Sequence, residues 1–205
     1  ERISGLDFTD PDRPSVAGRT TPTLGVLPRG SNNANQGGNG YDFHALAKPG
    51  AIAALIDDAE SRFRAATGVS APRGRLILTA HSGGGQALMN ALTQVDPDEV
   101  HVFDALYGTP KRSFDPLGPL VAWARSRLAR ERSTAGPRSA LRVVYRGSTA
   151  DNSMRLHDIL CRETAGLPPA FGQRFRVERT TTVKHLFIPQ AYGWRLLADA
   201  GADVP

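Results

Sequence analysis

Residues 75–88 constrain the fold more than any other stretch. They read Arg-Leu-Ile-Leu-Thr-Ala-His-Ser-Gly-Gly-Gly-Gln-Ala-Leu. Leu76, Ile77 and Leu78 make a short apolar run of the kind buried in a parallel strand. Gly83, Gly84 and Gly85 follow at once, and residues 86–92 have the composition of a helix. Ser82 therefore stands where a strand hands over to a helix N-terminus. A serine on such a sharp turn is held with its hydroxyl exposed, the arrangement of a nucleophile elbow. The backbone passes close to itself there and needs small neighbours. Ala80 and Gly84 supply them, with Ala80 standing where glycine is usual.

Around this stretch, strand and helix signals alternate. Residues 1–22 are polar and rich in turn formers, which predicts an irregular arm ahead of a single domain over 23–205. Residues 23–27 read as a strand, and residues 31–40, dense in Asn and Gly, as a loop too polar to pack. Apolar positions at helical spacing predict a helix over 51–66, with Gly68 as its stop. Further strands are expected at 99–106, 141–145 and 175–183. Helices are expected over 120–132, from about 153 to 164, and over 191–200, with a loop over 111–119. Such alternation is the pattern of an α/β fold, a mostly parallel sheet with helices on both faces.

Reactive groups in such sheets gather beyond the carboxyl ends of the strands. Ser82, an aspartate and His185 all fall there, in that order. A serine hydroxyl is a weak nucleophile until an imidazole accepts its proton, and the imidazole needs a carboxylate to set its tautomer and stabilise its charge. Two aspartates compete for that place. Asp151 follows a strand but sits in a polar run before a helix, where aspartate also serves as turn former or N-cap. Asp104 ends an otherwise apolar strand, where a carboxylate is costly to desolvate unless paired. That cost favours Asp104, with Asp151 as the alternative. His81, adjacent to the serine, reads as packing under the turn, since neighbouring side chains diverge. His101 reads as facing away from Val100 and Val102. His44 and His157 have no metal-site spacing, and no HExxH motif is present. Tyr41, Phe43, Tyr107, Phe114 and Trp123 are candidates for a pocket wall, with core packing the commoner role.

The segments around Ser82, Asp104, residues 147–151 and His185 together resemble the second half of an α/β-hydrolase, over roughly residues 23–200. The order serine, acid, histidine is that family's order. The resemblance implies a hydrolase that forms an acyl-enzyme on Ser82 and acts on an ester, thioester or amide, with esters favoured. It implies an oxyanion donor at the Gly83 N–H and no metal or organic cofactor. An acid after the strand that ends at Asp104 is a variant of that family. The front of the chain departs from the family pattern, because residues 1–22 cannot supply the earlier strands and the loop that gives a second oxyanion donor. Two other readings use the same residues: a hydrolase-like binding module with little activity, and an acyltransferase that hands the acyl group to an acceptor other than water.

Composition narrows the partners. The 205 residues carry a net charge of +5, with 40% hydrophobic and 22% charged residues, ordinary values for a globular domain. The expected partner is a small-molecule or polymeric acyl substrate. The positive charge would also suit an anionic surface such as a cell-envelope polymer or acidic lipid, although a solvated basic surface is the plainer reading. No nucleic-acid module signature is present, and no apolar run has the length of a membrane span. Cys161 is the single cysteine, which excludes an internal disulfide. The chain starts at Glu1 rather than Met, so a signal peptide, a tag or a longer N-terminal piece is expected to have preceded it. A secreted or cell-envelope setting is favoured over a cytoplasmic one.

Overall fold

Four strands line up in chain order to form one all-parallel sheet: β3 (Ile77–His81), β4 (Glu99–Phe103), β5 (Ala140–Tyr145) and β6 (Phe175–Arg179). The computed structural model describes residues 24–28, 30–32, 41–70, 72–108, 115–133 and 139–196. The crossovers carry α2 (Gly85–Leu92), α3 (Gly118–Ser133), and α4 (Ala150–Thr164) with the short α5 (Pro169–Arg174). The α/β class expected from the alternation is therefore present.

Side-chain parity explains the layers. Val100, Val102, Leu141 and Val143 point to one face, where Leu88 and Met89 of α2, Leu120, Trp123 and Leu128 of α3, and Leu156 and Leu160 of α4 cover them. Phe103 and Val144 point to the other face and meet Ile188 and Tyr192 of α6 (Ile188–Leu196). Alternate residues of a strand must face opposite ways, so two helical layers follow from these two residue sets. β4 and β5 are buried along their whole length, as central parallel strands are. Glu99 and His101 interrupt the apolar run, and their burial is compensated by pairing. His101 Nε2 lies 3.0 Å from Glu99 Oε2, and Arg75 Nε donates to Glu99 Oε1 at 3.0 Å.

Several sequence expectations need correction. Residues 24–28 form no strand, and Leu24, Val26 and Leu27 are exposed. An apolar run becomes a strand only against a partner that covers it, and none pairs with this one among the described residues. Part of the supposed loop is ordered instead: β1 (Ser31–Asn32) pairs antiparallel with β2 (Tyr41–Asp42). The strand expected over 99–106 stops at Phe103, and the one expected over 175–183 stops at Arg179. Residues 1–22, most of the Asn/Gly loop, residues 111–114 and the end of the closing helix lie outside the described residues. α1 (Ala51–Thr67) ends at Gly68 as its sequence predicts, with φ 70° there and the Gly68 N–H donating to Arg64 O.

Candidate active site

β3 ends at His81, and Ser82 turns the chain with φ 52° into a 3-10 turn, Ser82–Gly84, that leads directly into α2. A left-handed backbone at a non-glycine residue costs on the order of 1–3 kcal/mol and persists only where the surroundings impose it. Gly85 shows one part of that imposition. A Cβ built there would fall 1.8 Å from the carbonyl oxygen of Ala105, so the first turn of α2 lies directly on the backbone that leaves β4. The expected crowding between Ala80 and Gly84 is milder, since a Cβ on Gly84 would sit 3.8 Å from the Ala80 Cβ.

Asp104 is built in the same way. His81 pairs with Phe103 on the last rung between β3 and β4, and Asp104 follows with φ 46°. Its side chain is 1% exposed. Oδ1 accepts the Arg146 N–H at 2.9 Å and the Thr149 hydroxyl at 2.5 Å, while Oδ2 meets His185 Nδ1 at 2.7 Å. Burial pushes the carboxyl pKa up. The hydrogen bonds from Thr149, Arg146 and His185, together with the His185 charge, outweigh burial and hold it below the ordinary aspartate value.

His185 arrives from the far end of the chain, in a 3-10 turn, His185–Phe187, between β6 and α6. Its Nε2 lies 2.9 Å from Ser82 Oγ. The tautomer follows from the acid. An ionised Asp104 has no proton to give, so His185 Nδ1–H donates to it, and the bare Nε2 accepts the Ser82 hydroxyl. A hydrogen-bonded path thus runs unbroken from the Ser82 oxygen to a buried carboxylate. The imidazole is about one-third exposed, so the serine end of the path can be approached from solvent.

The structure places the other candidates elsewhere. Asp151 is exposed in the first turn of α4, a favourable position for negative charge. The imidazole nitrogen it would need is bonded to Asp104. Trp123 is core, donating Nε1–H to Pro97 O and lying against Phe175. Tyr107 is exposed, and Phe114 lies outside the described residues. His101 is buried within the sheet, and His157 lies on α4 with its Nε2 3.5 Å from Cys161 Sγ. Gly83 is the residue directly after the serine, and β2 lies against the same turn.

Sequence reasoning missed four contributors. Thr149 and the Arg146 N–H clamp the Asp104 carboxylate, although the run containing them reads only as a turn. Asn152 is buried and donates to Leu106 O and Gly108 O, which ties the start of α4 to the segment following Asp104. His81 is the fourth: its Nε2 lies 3.1 Å from the His185 carbonyl oxygen, and the two rings stand 4.7 Å apart. Leu186 and Phe187, in the same turn as His185, are more than half exposed and form an apolar edge beside it.

The basic run of α3 is largely paired. Arg125 bonds Glu163, Arg127 reaches Asp96 and Asp98, Arg130 bonds Asp96, and Arg132 donates to Glu163 O. Carboxylates therefore pair with Arg125, Arg127 and Arg130, whereas Arg132 meets a neutral carbonyl. Among the described residues no group of three or more His, Cys, Asp or Glu side chains could hold a metal ion, and no helix is long and apolar enough to cross a membrane. Comparison with protein-family models, with curated proteins and with solved structures gave no match.

Proposed function

We propose that this chain is a serine hydrolase of the α/β-hydrolase type, cleaving a carboxylic ester or a related acyl bond through an acyl-enzyme on Ser82. The observation that carries the reading is the path Ser82 Oγ to His185 Nε2 at 2.9 Å and His185 Nδ1 to Asp104 Oδ2 at 2.7 Å. Ser82 Oγ attacks the acyl carbon as its proton passes to His185 Nε2. The imidazolium is stabilised by the Asp104 carboxylate, which stays ionised. The tetrahedral oxyanion takes the Gly83 N–H as one donor, and the backbone of β2, against the same turn, is the segment suited to give a second. Collapse of the intermediate releases the alcohol, which takes the proton from His185. Water then repeats the sequence and frees the acid and Ser82.

The family assignment rests on the order of the three residues and on the sheet. Four parallel strands in chain order, with Asp104 after the strand beside the serine strand, support this reading. The exposed Leu186 and Phe187 suit a substrate with an apolar group near the reacting carbonyl.

A fluorophosphonate probe tests the reading. Wild-type protein is expected to take up one equivalent of probe at Ser82, and Ser82→Ala to take up none. Unlabelled wild-type protein would overturn it. Product analysis with an alcohol or amine acceptor present separates hydrolysis from acyl transfer.

A further inference from the structure

We propose that His81 is a positioning residue for the reaction: as a neutral imidazole it donates Nε2–H to the backbone carbonyl of His185 and so fixes the turn that aims the His185 ring at Ser82. The inference rests on the hydrolase reading above, but its central claim concerns geometry that can be measured without turnover.

The 3.1 Å contact joins a ring nitrogen to a carbonyl oxygen. A carbonyl has no proton, so the nitrogen must donate, and the His81 Nε2–H is settled by elementary chemistry. The bond spans a large break in sequence, from the residue before the nucleophile to the base itself. Its mechanical value follows from where His185 sits. The Thr180 N–H still donates to Tyr145 O, but residues 181–184, which lead on to the turn, belong to no strand, and the ring must still stay within hydrogen-bond reach of both Ser82 and Asp104. The two side-chain bonds orient the ring. The bond from His81 holds the backbone beneath it, and it originates from β3, the same strand that presents the serine. Nucleophile and base are thereby referenced to one rigid element, which is what near-attack geometry requires.

The same contact restricts charge. The two rings are 4.7 Å apart, so His81 faces the proton that His185 accepts during acylation. The charged groups facing it are His185 and, beyond that ring, Asp104. Burial pushes the His81 pKa down, the bond to the His185 carbonyl works against this, the His185 charge pushes it down further, and Asp104 opposes. The net effect is a lowered pKa. At neutral pH His81 therefore remains an uncharged donor and adds no repulsion to the imidazolium that forms beside it.

The test uses the whole chain and three variants. His81→Gln keeps an N–H able to reach the carbonyl and cannot ionise. His81→Phe keeps a ring but has no donor. His81→Asn stays polar, yet its amide stops short of the carbonyl, and it serves where Phe disturbs folding. The rate of fluorophosphonate labelling at Ser82 is followed against pH, together with thermal unfolding and the low-field proton resonance of the Asp104–His185 hydrogen bond. Gln is expected to label within about threefold of wild type. Phe and Asn are expected to label on the order of tenfold to a hundredfold more slowly at neutral pH, with unfolding midpoints close to that of Gln. At acid pH the wild-type rate should fall more steeply than that of Gln, because only the wild type has a second imidazole to protonate. Equal rates in Gln, Phe and Asn would overturn the proposal, as would Phe or Asn labelling at the wild-type rate. Failure of wild-type protein to label sinks the hydrolase reading alone. The low-field resonance then decides for His81: retained in Gln but broadened away in Phe and Asn supports it, and the same signal in all three overturns it.

Discussion

Ser82 and Asp104 leave adjacent parallel strands on the same rung, one step past the His81–Phe103 pair, and both turn with positive φ. The shared rung sets the Ser82 hydroxyl and the Asp104 carboxylate side by side, and His185 spans the gap between them. The left-handed turn at Ser82 has a measurable cost. Alanine and glycine both remove the hydroxyl, but only glycine adopts φ 52° without steric penalty. Ser82→Gly is expected to be more stable than Ser82→Ala by about 1 kcal/mol. Chemical denaturation of the two variants measures this difference directly, and equal stabilities would mean that the turn stores no strain.

The acid is identified by a pair of substitutions. Asp104→Asn preserves the shape of the side chain but removes the negative charge that pairs with the imidazolium and sets the tautomer. A fall in kcat of about 10⁴-fold is expected. Asp151→Asn, exposed on α4, is expected to stay within about twofold of wild type, as surface substitutions do. Hydrolysis of a chromogenic ester by the two purified variants is sufficient, and the reverse ranking would transfer the role to Asp151.

Much of this site is legible from residue order, and the reasons are physical. Ser82 is visible because a strand, three glycines and a helix leave few conformations for the residue between them. Asp104 is visible because a carboxylate ending an apolar strand needs compensation, and the structure supplies three hydrogen-bond donors to it. His185 is visible only through chain order and topology, with no local pattern of its own. Thr149 is invisible in the sequence. Its partner lies 45 residues away, and a threonine in a polar run looks the same whether or not its hydroxyl is used. The same holds for His81, whose role depends on a backbone carbonyl, a group every residue carries. The strand expected over 23–27, absent in its described part, has the opposite cause. Its apolar residues are real, but pairing is a property of a neighbouring strand and not of the run itself.

Thr149 makes the site sensitive to acid. The folded Asp104 pKa is depressed, so the unfolded chain binds this proton more readily. The resulting stability is fully present above the unfolded carboxylate pKa of about 3.9 and is lost as pH falls through the lower folded value. Thr149→Val removes one hydrogen bond to the carboxylate and raises the folded pKa towards the unfolded one. Acid unfolding is therefore expected at higher pH in Thr149→Val, with a cost at neutral pH of about 1.5–3 kcal/mol for a bond to a charged group. Denaturant titrations at a series of pH values test both parts. An unchanged acid midpoint would show that Thr149 does not support the acid.

Gly85 couples the two sides of the site through backbone alone. Its missing side chain lets α2 rest on the Ala105 carbonyl, one residue beyond Asp104. Any Cβ would have to displace either the helix or the exit from β4, and the obstructing atom belongs to the backbone and cannot rotate aside. Gly85→Ala is expected to destabilise by about 1–3 kcal/mol, the range for overpacking a close contact. The substitution normally favours a helix by up to about 1 kcal/mol, so the sign itself is diagnostic. Labelling of Ser82 should slow as well, because the displaced elements adjoin Ser82 and Asp104. Gly85→Ser, with the same Cβ, should behave alike, whereas Gly84→Ala, which meets only an ordinary 3.8 Å contact, should not. Thermal unfolding of the three variants ranks them, and a Gly85→Ala protein as stable as wild type would show that the contact relaxes at little cost.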